Sequence, residues 1–407
     1  MSGTLFNFAV ARPSFRRGFA HARCLVLLLV PAACAAASAA AAGVPSYPLA
    51  DATTILWQGR YLRAPDGSGS VLADVEGASF TATVSDARVI ALVLNDTSAG
   101  GARLSVTLTA PGIPTFRVAT LVTSPLQSVY TLASGAALKN ATATLTVTLL
   151  SEWENIGDSL TSPLRFVALA TDGALQPAPA RPARRLLVLG DSLSAGVGCG
   201  FDVPPTGAAC GSGVLLNDVS RNYDFALCAN FSAECEVVAG SGITIVARPD
   251  YNLPLVFPWS LGAMASDAWP AAQRVAWPTR THVPDAIILT IGSNDCHTFD
   301  CTGKDLQTLK AAYVSFVQNL TLAYAAPSLP VFLTIAMHES GQSKAMLLAV
   351  DELVSAGYKA AFLNATAPDV LPDGTPVATG CGGHPSAQAN ALAAARARPV
   401  IAAALGW

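Results

Sequence analysis

From about Ser46 to Thr171 apolar and polar positions alternate in short runs. In "SFTATV" the alternation puts Phe80, Ala82 and Val84 on one face, and "RVIALVL", "RLSVTLT" and "ATLTVTLL" continue in kind, with turn signals such as "APDGSG" among them. Nothing in this stretch reads as a long amphipathic helix. The pattern predicts an all-β sandwich or jelly roll over residues 46–173.

The segment "ALQPAPARPARR" breaks that grammar with three spaced prolines and reads as a linker over residues 174–184. Beyond it, over residues 185–407, short continuous apolar runs alternate with helical stretches. Strands are expected at "LLVLG", "CEVVAG" (Cys235 to Gly240), "AIILTIG" (Ala286 to Gly292) and "PVFLTIA" (Pro330 to Ala336), with "KAAFLNA" (Lys359 to Ala365) as a fifth. Helical stretches such as "LQTLKAAYVSFVQNLTLAY" and "KAMLLAVDELVSAG" lie between them. Alternation of this kind implies an α/β unit, a parallel sheet covered by helices on both faces. No internal repeat is present.

Composition narrows the partners. The chain has 407 residues, enough for two units of ordinary size. A net charge of -3, with no basic cluster interleaved with aromatics, argues against nucleic acid. Residues 1–42 carry Arg12, Arg16, Arg17 and Arg23, then "CLVLLLV", then an Ala/Ser-rich run, the arrangement of a secretory signal peptide. A retained signal anchor is the rival reading, because alanine prolongs the apolar run. No later segment looks like a membrane span, so no membrane partner is expected once the signal is removed. An exported chain directs its cysteines towards disulfides, and Cys199–Cys210, Cys228–Cys235 and Cys296–Cys301 are the simplest local pairs, with Cys381 left over. No C-x-x-C or H-x-x-x-H spacing points to zinc, and no cofactor is expected. Five N-x-[ST] sequons, at Asn95, Asn140, Asn230, Asn319 and Asn364, agree with a eukaryotic-type secretory route.

The chemistry lies where the strands end. Gly190-Asp191-Ser192 follow the first buried run with no spacer, Ser241 and Gly242 follow the second, Asn294 and Asp295 the third, and His384 lies in "GCGGHPSAQAN" near the C-terminus. Loops at the carboxyl edge of a parallel sheet emerge on one side, so these residues can converge. A hydroxyl, an imidazole, an unobstructed glycine N–H and an asparagine amide are the parts that acyl transfer needs. No G-x-S-x-G elbow is present, which disfavours the α/β-hydrolase arrangement.

Taken together, "GDSLSAGVG", "SGI", "GSND" and "GHPS" resemble the four blocks of the SGNH (GDSL) hydrolases. With the β half that ends in "TATLTVTLLSEWE", the whole is closest to carbohydrate esterase family two. The resemblance implies a flavodoxin-like three-layer hydrolase unit preceded by the β-sandwich. It also implies a metal-independent esterase that removes O-acetyl groups from polysaccharides or oligosaccharides, and the signal-like N-terminus makes it a secreted one. Carried over by position, Ser192 is the nucleophile and His384 the general base. The oxyanion hole is then formed by the Ser192 N–H, the Gly242 N–H and the Asn294 side chain. Where many SGNH enzymes place an aspartate three residues before the histidine, this chain has Cys381. A backbone carbonyl can hold the imidazole in its place, and the upstream carboxylates Asp369 and Asp373 are not positioned by sequence alone.

Other residues carry weaker expectations. Asp191 and Asp295 read as structural, bonding loop N–H groups. His297 and His338 are alternative bases without motif context. Trp259, Trp269 and Trp277 lie where a loop can present an aromatic face to sugar, with Trp277 and Trp259 named as substrate contacts, although packing is the commoner role of such residues. Glu152, Trp153 and Glu154 are expected at the contact between the two halves, with no catalytic assignment. Two other readings stay open: a lipase or thioesterase with the same chemistry on another acyl group, and a carbohydrate-binding protein with a decayed site.

Overall fold

The structure is a computed structural model that describes residues 44–97, 101–111, 113–152, 163–200, 215–267, 269–336, 340–368, 370, 377 and 379–407. The signal-like residues 1–42, Cys210, Trp153, Glu154, His338, Asp369 and Asp373 lie outside the described residues.

The N-terminal half forms two antiparallel six-stranded sheets. Strand Ser79–Ser85 buries every second side chain, Phe80, Ala82 and Val84, as the alternation predicts. It pairs with strand Thr142–Leu149 so that Leu145 stands opposite Ala82 and Val147 opposite Phe80. The inward faces of both sheets share one core that includes Trp57, Phe80, Leu92, Leu104, Leu145 and Phe166. Trp57 and Phe166 meet edge to face with ring centroids 5.3 Å apart.

The second half is a five-stranded parallel sheet in the order second, first, third, fourth, fifth. Its strands are Arg184–Gly190, Ala233–Ala239, Ala286–Thr290, Val331–Ile335 and Ala360–Asn364. That order is the flavodoxin-like form of a doubly wound sheet. The first strand, Arg184–Gly190, is buried on both sides, which explains its unbroken apolar run. Leu187 and Leu189 face helices Gly303–Tyr324 and Ser340–Ser355, while Leu186 and Val188 face helices Tyr223–Asn230 and Ala387–Leu405. In Gly303–Tyr324 the buried residues Leu306, Leu309, Tyr313, Phe316, Val317, Leu320 and Tyr324 recur at three- and four-residue spacing, a single stripe against the sheet.

The proline-rich segment is strapped down rather than loose. Ala174–Leu175 adds a short strand beside Val84 and Ser85. Past it, the Gln176 and Ala178 N–H groups donate to Thr83 O and Thr53 O at 2.9 and 2.8 Å. Proline removes donors and fixes φ, but it does not prevent its neighbours from pairing.

Polar groups that neither half could leave buried alone join the two. The Arg60 guanidinium, 1% exposed, enters the second half, where it pairs with Glu236 at 3.0 Å and donates to Trp259 O at 2.9 Å. The Asp74 carboxylate accepts the Gly262 and Ala263 N–H groups at 3.0 and 2.8 Å. Arg103 donates to Asn217 O at 2.7 Å.

Candidate active site

Three strand ends and the C-terminal loop meet at the carboxyl edge of the parallel sheet. Ser192, Gly242, Asn294, His297 and His384 line one cavity of about 280 Å3, together with Leu193, Ser241, Ser293, Gly382 and Gly383. The His384 Nε2 lies 2.7 Å from Ser192 Oγ. The other ring nitrogen, Nδ1, is 3.2 Å from Gly382 O. With Nδ1 protonated and donating to that carbonyl, Nε2 presents a lone pair to the serine hydroxyl, the tautomer a general base needs. Burial pushes the imidazole below the ordinary histidine range, opposed by the Gly382 carbonyl and by the charge of Glu152.

No carboxylate among the described residues is hydrogen-bonded to His384. Cys381, at the position where an aspartate is common, is 1% exposed and disulfide-bonded. Among the described residues the free thiol is the buried Cys199, which corrects the expected Cys199–Cys210 pair. Cys199 is set among the first loop, Pro385 and Asn390, whose amide donates to its sulfur at 3.1 Å. Cys228–Cys235 and Cys296–Cys301 are bonded as their spacing predicts.

The two aspartates beside the motif residues tie the loops to one another. Asp191 accepts the Leu193 N–H at 3.0 Å and the Ser293 hydroxyl at 2.6 Å, joining first loop to third. Asp295 accepts the N–H groups of Ile245, Val246 and Ala247 at 2.8 to 2.9 Å, joining third loop to second. Asn294 Nδ2 donates to Ile243 O at 2.9 Å, which uses one of its two protons and fixes the amide on the cavity wall. The turn into this loop requires glycine at 292: φ is +117°, and a Cβ there would stand 2.0 Å from Tyr313 Oη. Gly242 also has positive φ, +73°, so its backbone reaches the cavity in a conformation other residues rarely adopt.

Other sequence candidates lie differently. His297 lines the cavity, but its Nδ1 pairs with Ser293 O at 2.8 Å and the serine hydroxyl is engaged by His384. Trp259 and Trp277 do not line it: Trp259 packs with Leu72, Leu261 and Met264, and Trp277 is 6% exposed with its ring 5.1 Å from the Arg60 guanidinium. Large aromatic surface in this segment is covered by the first half, a contact that local sequence does not reveal. Trp269 borders a separate cleft with Leu62, Asp66, Asn95 and Arg165. Glu152, expected at the contact between the two halves but given no catalytic assignment, is at that contact and reaches the site: it accepts the Ser241 N–H at 2.6 Å and the Ser241 hydroxyl at 2.7 Å. A charged residue just beyond a buried strand was the only available signal, and it names no partner. Among the described residues no group of three or more His, Cys, Asp or Glu side chains is arranged to hold a metal ion.

No protein-family model matches the sequence, and neither does any curated protein. Solved structures do. A family two carbohydrate esterase from Cellvibrio japonicus superposes with a TM-score of 0.71 at 19% identity, covering 90% of this chain and 99% of that one. The acetyl xylan esterase Est2A from Butyrivibrio proteoclasticus gives 0.71 at 17% identity, covering 89% and 99%. A family two carbohydrate esterase from Clostridium thermocellum in complex with cellohexaose gives 0.66 at 18% identity, covering 87% and 99%. Over nearly its whole described length, this chain has the two-part fold of the family two carbohydrate esterases.

Proposed function

We propose that this protein is a serine esterase that removes O-acetyl groups from carbohydrate. The observation that carries the proposal is the 2.7 Å contact between Ser192 Oγ and His384 Nε2 at a cavity lined by Gly242 and Asn294. Ser192 attacks the ester carbonyl as its proton passes to His384 Nε2. The Ser192 and Gly242 N–H groups and the Asn294 amide hold the oxyanion. His384 returns the proton to the departing sugar oxygen, leaving an acetyl-enzyme. Water, deprotonated by the same nitrogen, attacks that ester and releases acetate. The Gly382 carbonyl takes the orienting role that a carboxylate has in a Ser-His-Asp triad. A cavity of about 280 Å3 with several glycine and serine residues in its wall favours acetyl over long acyl chains.

On this reading residues 46–173 form a jelly-roll domain and residues 185–407 the hydrolase domain. Secretion follows from the signal-like N-terminus and is supported by the disulfides Cys228–Cys235 and Cys296–Cys301 and by exposed sequon residues Asn95, Asn140, Asn230 and Asn319. The deciding experiment is acetate release from a panel of acetylated glycans by the wild type and by Ser192→Ala, with p-nitrophenyl acetate and decanoate alongside. Release that Ser192→Ala abolishes, with the acetate ester strongly preferred, supports the reading. A preference for decanoate favours a lipase-type esterase, and glycan binding without turnover favours a carbohydrate-binding protein.

A further inference from the structure

Glu152 belongs by chain position to the two-sheet half, three residues past the buried end of strand Thr142–Leu149. It is 1% exposed. Oε2 accepts the Ser241 N–H at 2.6 Å, while Oε1 accepts the Ser241 hydroxyl at 2.7 Å and the Asn217 amide at 2.7 Å. Charge-assisted bonds to a buried carboxylate are the strong kind, and three of them converge here.

Both partners lead to the catalytic loops. Ser241 immediately precedes Gly242, so holding Ser241 by its N–H and its hydroxyl fixes the peptide plane that carries the Gly242 N–H. Asn217 backs the nucleophile loop: it bridges Val197, and its neighbours Leu216 and Asp218 bond to the backbone of Gly198, Gly200 and Gly196. The carboxylate is framed in turn, since Leu150 N–H donates to Arg103 O at 2.8 Å and Arg103 N–H donates to the Ser151 hydroxyl at 3.1 Å.

We infer that Glu152 is a positioning residue of the hydrolase site: a carboxylate lent by the β-sheet half that clamps the nucleophile loop and the Ser241–Gly242 oxyanion loop at a fixed separation. The inference rests on the proposed esterase reading. It gives the β half a role in catalysis, because without that half the oxyanion loop has no acceptor for the Ser241 N–H. Glutamine cannot replace the carboxylate. With its single oxygen kept on Asn217 and the Ser241 hydroxyl, its NH2 faces the Ser241 N–H, donor against donor.

The charge has a second consequence. Glu152 favours the protonated form of His384, so its loss lowers the imidazole further and moves the acid limb of kcat/KM to lower pH. Other charged or titratable groups packed around it are Glu76, with Asp74 behind it, and Arg103 with Asp218 beyond Asn217. Burial, reinforced by the Glu152 charge, holds the Glu76 carboxyl well above the usual range.

The test compares wild type, Glu152→Gln and Ser241→Ala with p-nitrophenyl acetate across pH, and follows hydrogen exchange at the Ser241 amide. Displacing an oxyanion donor by a fraction of an ångström to an ångström costs up to about 100-fold. Glu152→Gln is expected to lower kcat on the order of 10- to 100-fold with KM changed less than about threefold. Its acid limb moves to lower pH, and Ser241 exchanges at least about tenfold faster than in wild type. A kcat within about threefold of wild type, an unmoved limb, or unchanged Ser241 exchange overturns the inference. If Glu152→Gln does not fold, Ser241→Ala decides, because it deletes only the hydroxyl bond: reduced kcat at unaltered KM supports the clamp and unchanged kcat refutes it. Failure of the esterase reading looks different, with a wild type that is inactive or a Ser192→Ala variant as active as wild type. The exchange experiment still judges the clamp in that case.

Discussion

Removing the Arg60 side chain tests how firmly the two halves are joined. Arg60 and Glu236 are 1% and 2% exposed and 3.0 Å apart, and the guanidinium also donates to Phe257 O and Trp259 O and lies 5.0 and 5.1 Å from the Phe257 and Trp277 rings. Burial already raises the Glu236 carboxyl, and the Arg60 charge and hydrogen bond are the main forces opposing that rise. Arg60→Met keeps much of the buried stem but leaves Glu236 without its partner, a change that costs about 3–5 kcal/mol. Arg60→Met/Glu236→Met removes both charges and should recover most of the loss, ending within about 1–2 kcal/mol of wild type. Urea unfolding followed by tryptophan fluorescence reads wild type, Arg60→Met, Glu236→Met and the double variant, the four corners of the cycle. In Arg60→Met the folded-state pKa of Glu236 rises further above its unfolded value, so the folded protein takes up a proton before the unfolded chain does, and the deficit shrinks as pH falls towards the ordinary carboxylate range. A single variant within about 1 kcal/mol of wild type, or a double variant no more stable than Arg60→Met, would refute the reasoning.

Further outcomes follow from the site and its supports. Because burial lowers the His384 pKa and the proposed base is the neutral ring, activity should persist as pH falls below the ordinary histidine value, with the acid limb of kcat/KM under about 6.5; a limb above that value contradicts the assignment. Gly292→Ala drives a Cβ to 2.0 Å from Tyr313 Oη at a φ of +117°, so a loss of about 2 kcal/mol or more is expected in thermal unfolding, with lowered kcat from the displaced Asn294; an unchanged Tm rules this out. Burial raises the Cys199 thiol to about 12, so in the folded protein this cysteine should resist iodoacetamide at pH 8 and react only after unfolding, as peptide mass spectrometry would report; rapid native alkylation would show the site is open.

Sequence alone determined what depends on local periodicity. Alternation along Ser79–Ser85 and Thr142–Leu149 specifies strands with one buried face, because side chains in a strand point to opposite faces in turn. Unbroken runs such as Leu186–Leu189 specify strands covered on both sides, and the fixed hand of βαβ connections then places Ser192, Gly242, Asn294 and His384 on one edge. The tertiary structure decided what depends on which surfaces meet. No pattern within residues 174–184 shows that the proline-rich segment is strapped to Thr83 and Thr53. Nor does any show that Trp277 is covered by Arg60, that Cys381 is bonded and Cys199 free, or that it is the Gly382 carbonyl that meets the His384 ring. Glu152 is the clearest case: its partner Ser241 lies 89 positions away along the chain. Desolvating a carboxylate requires partners, and only the packing of one half on the other determines which donors supply them.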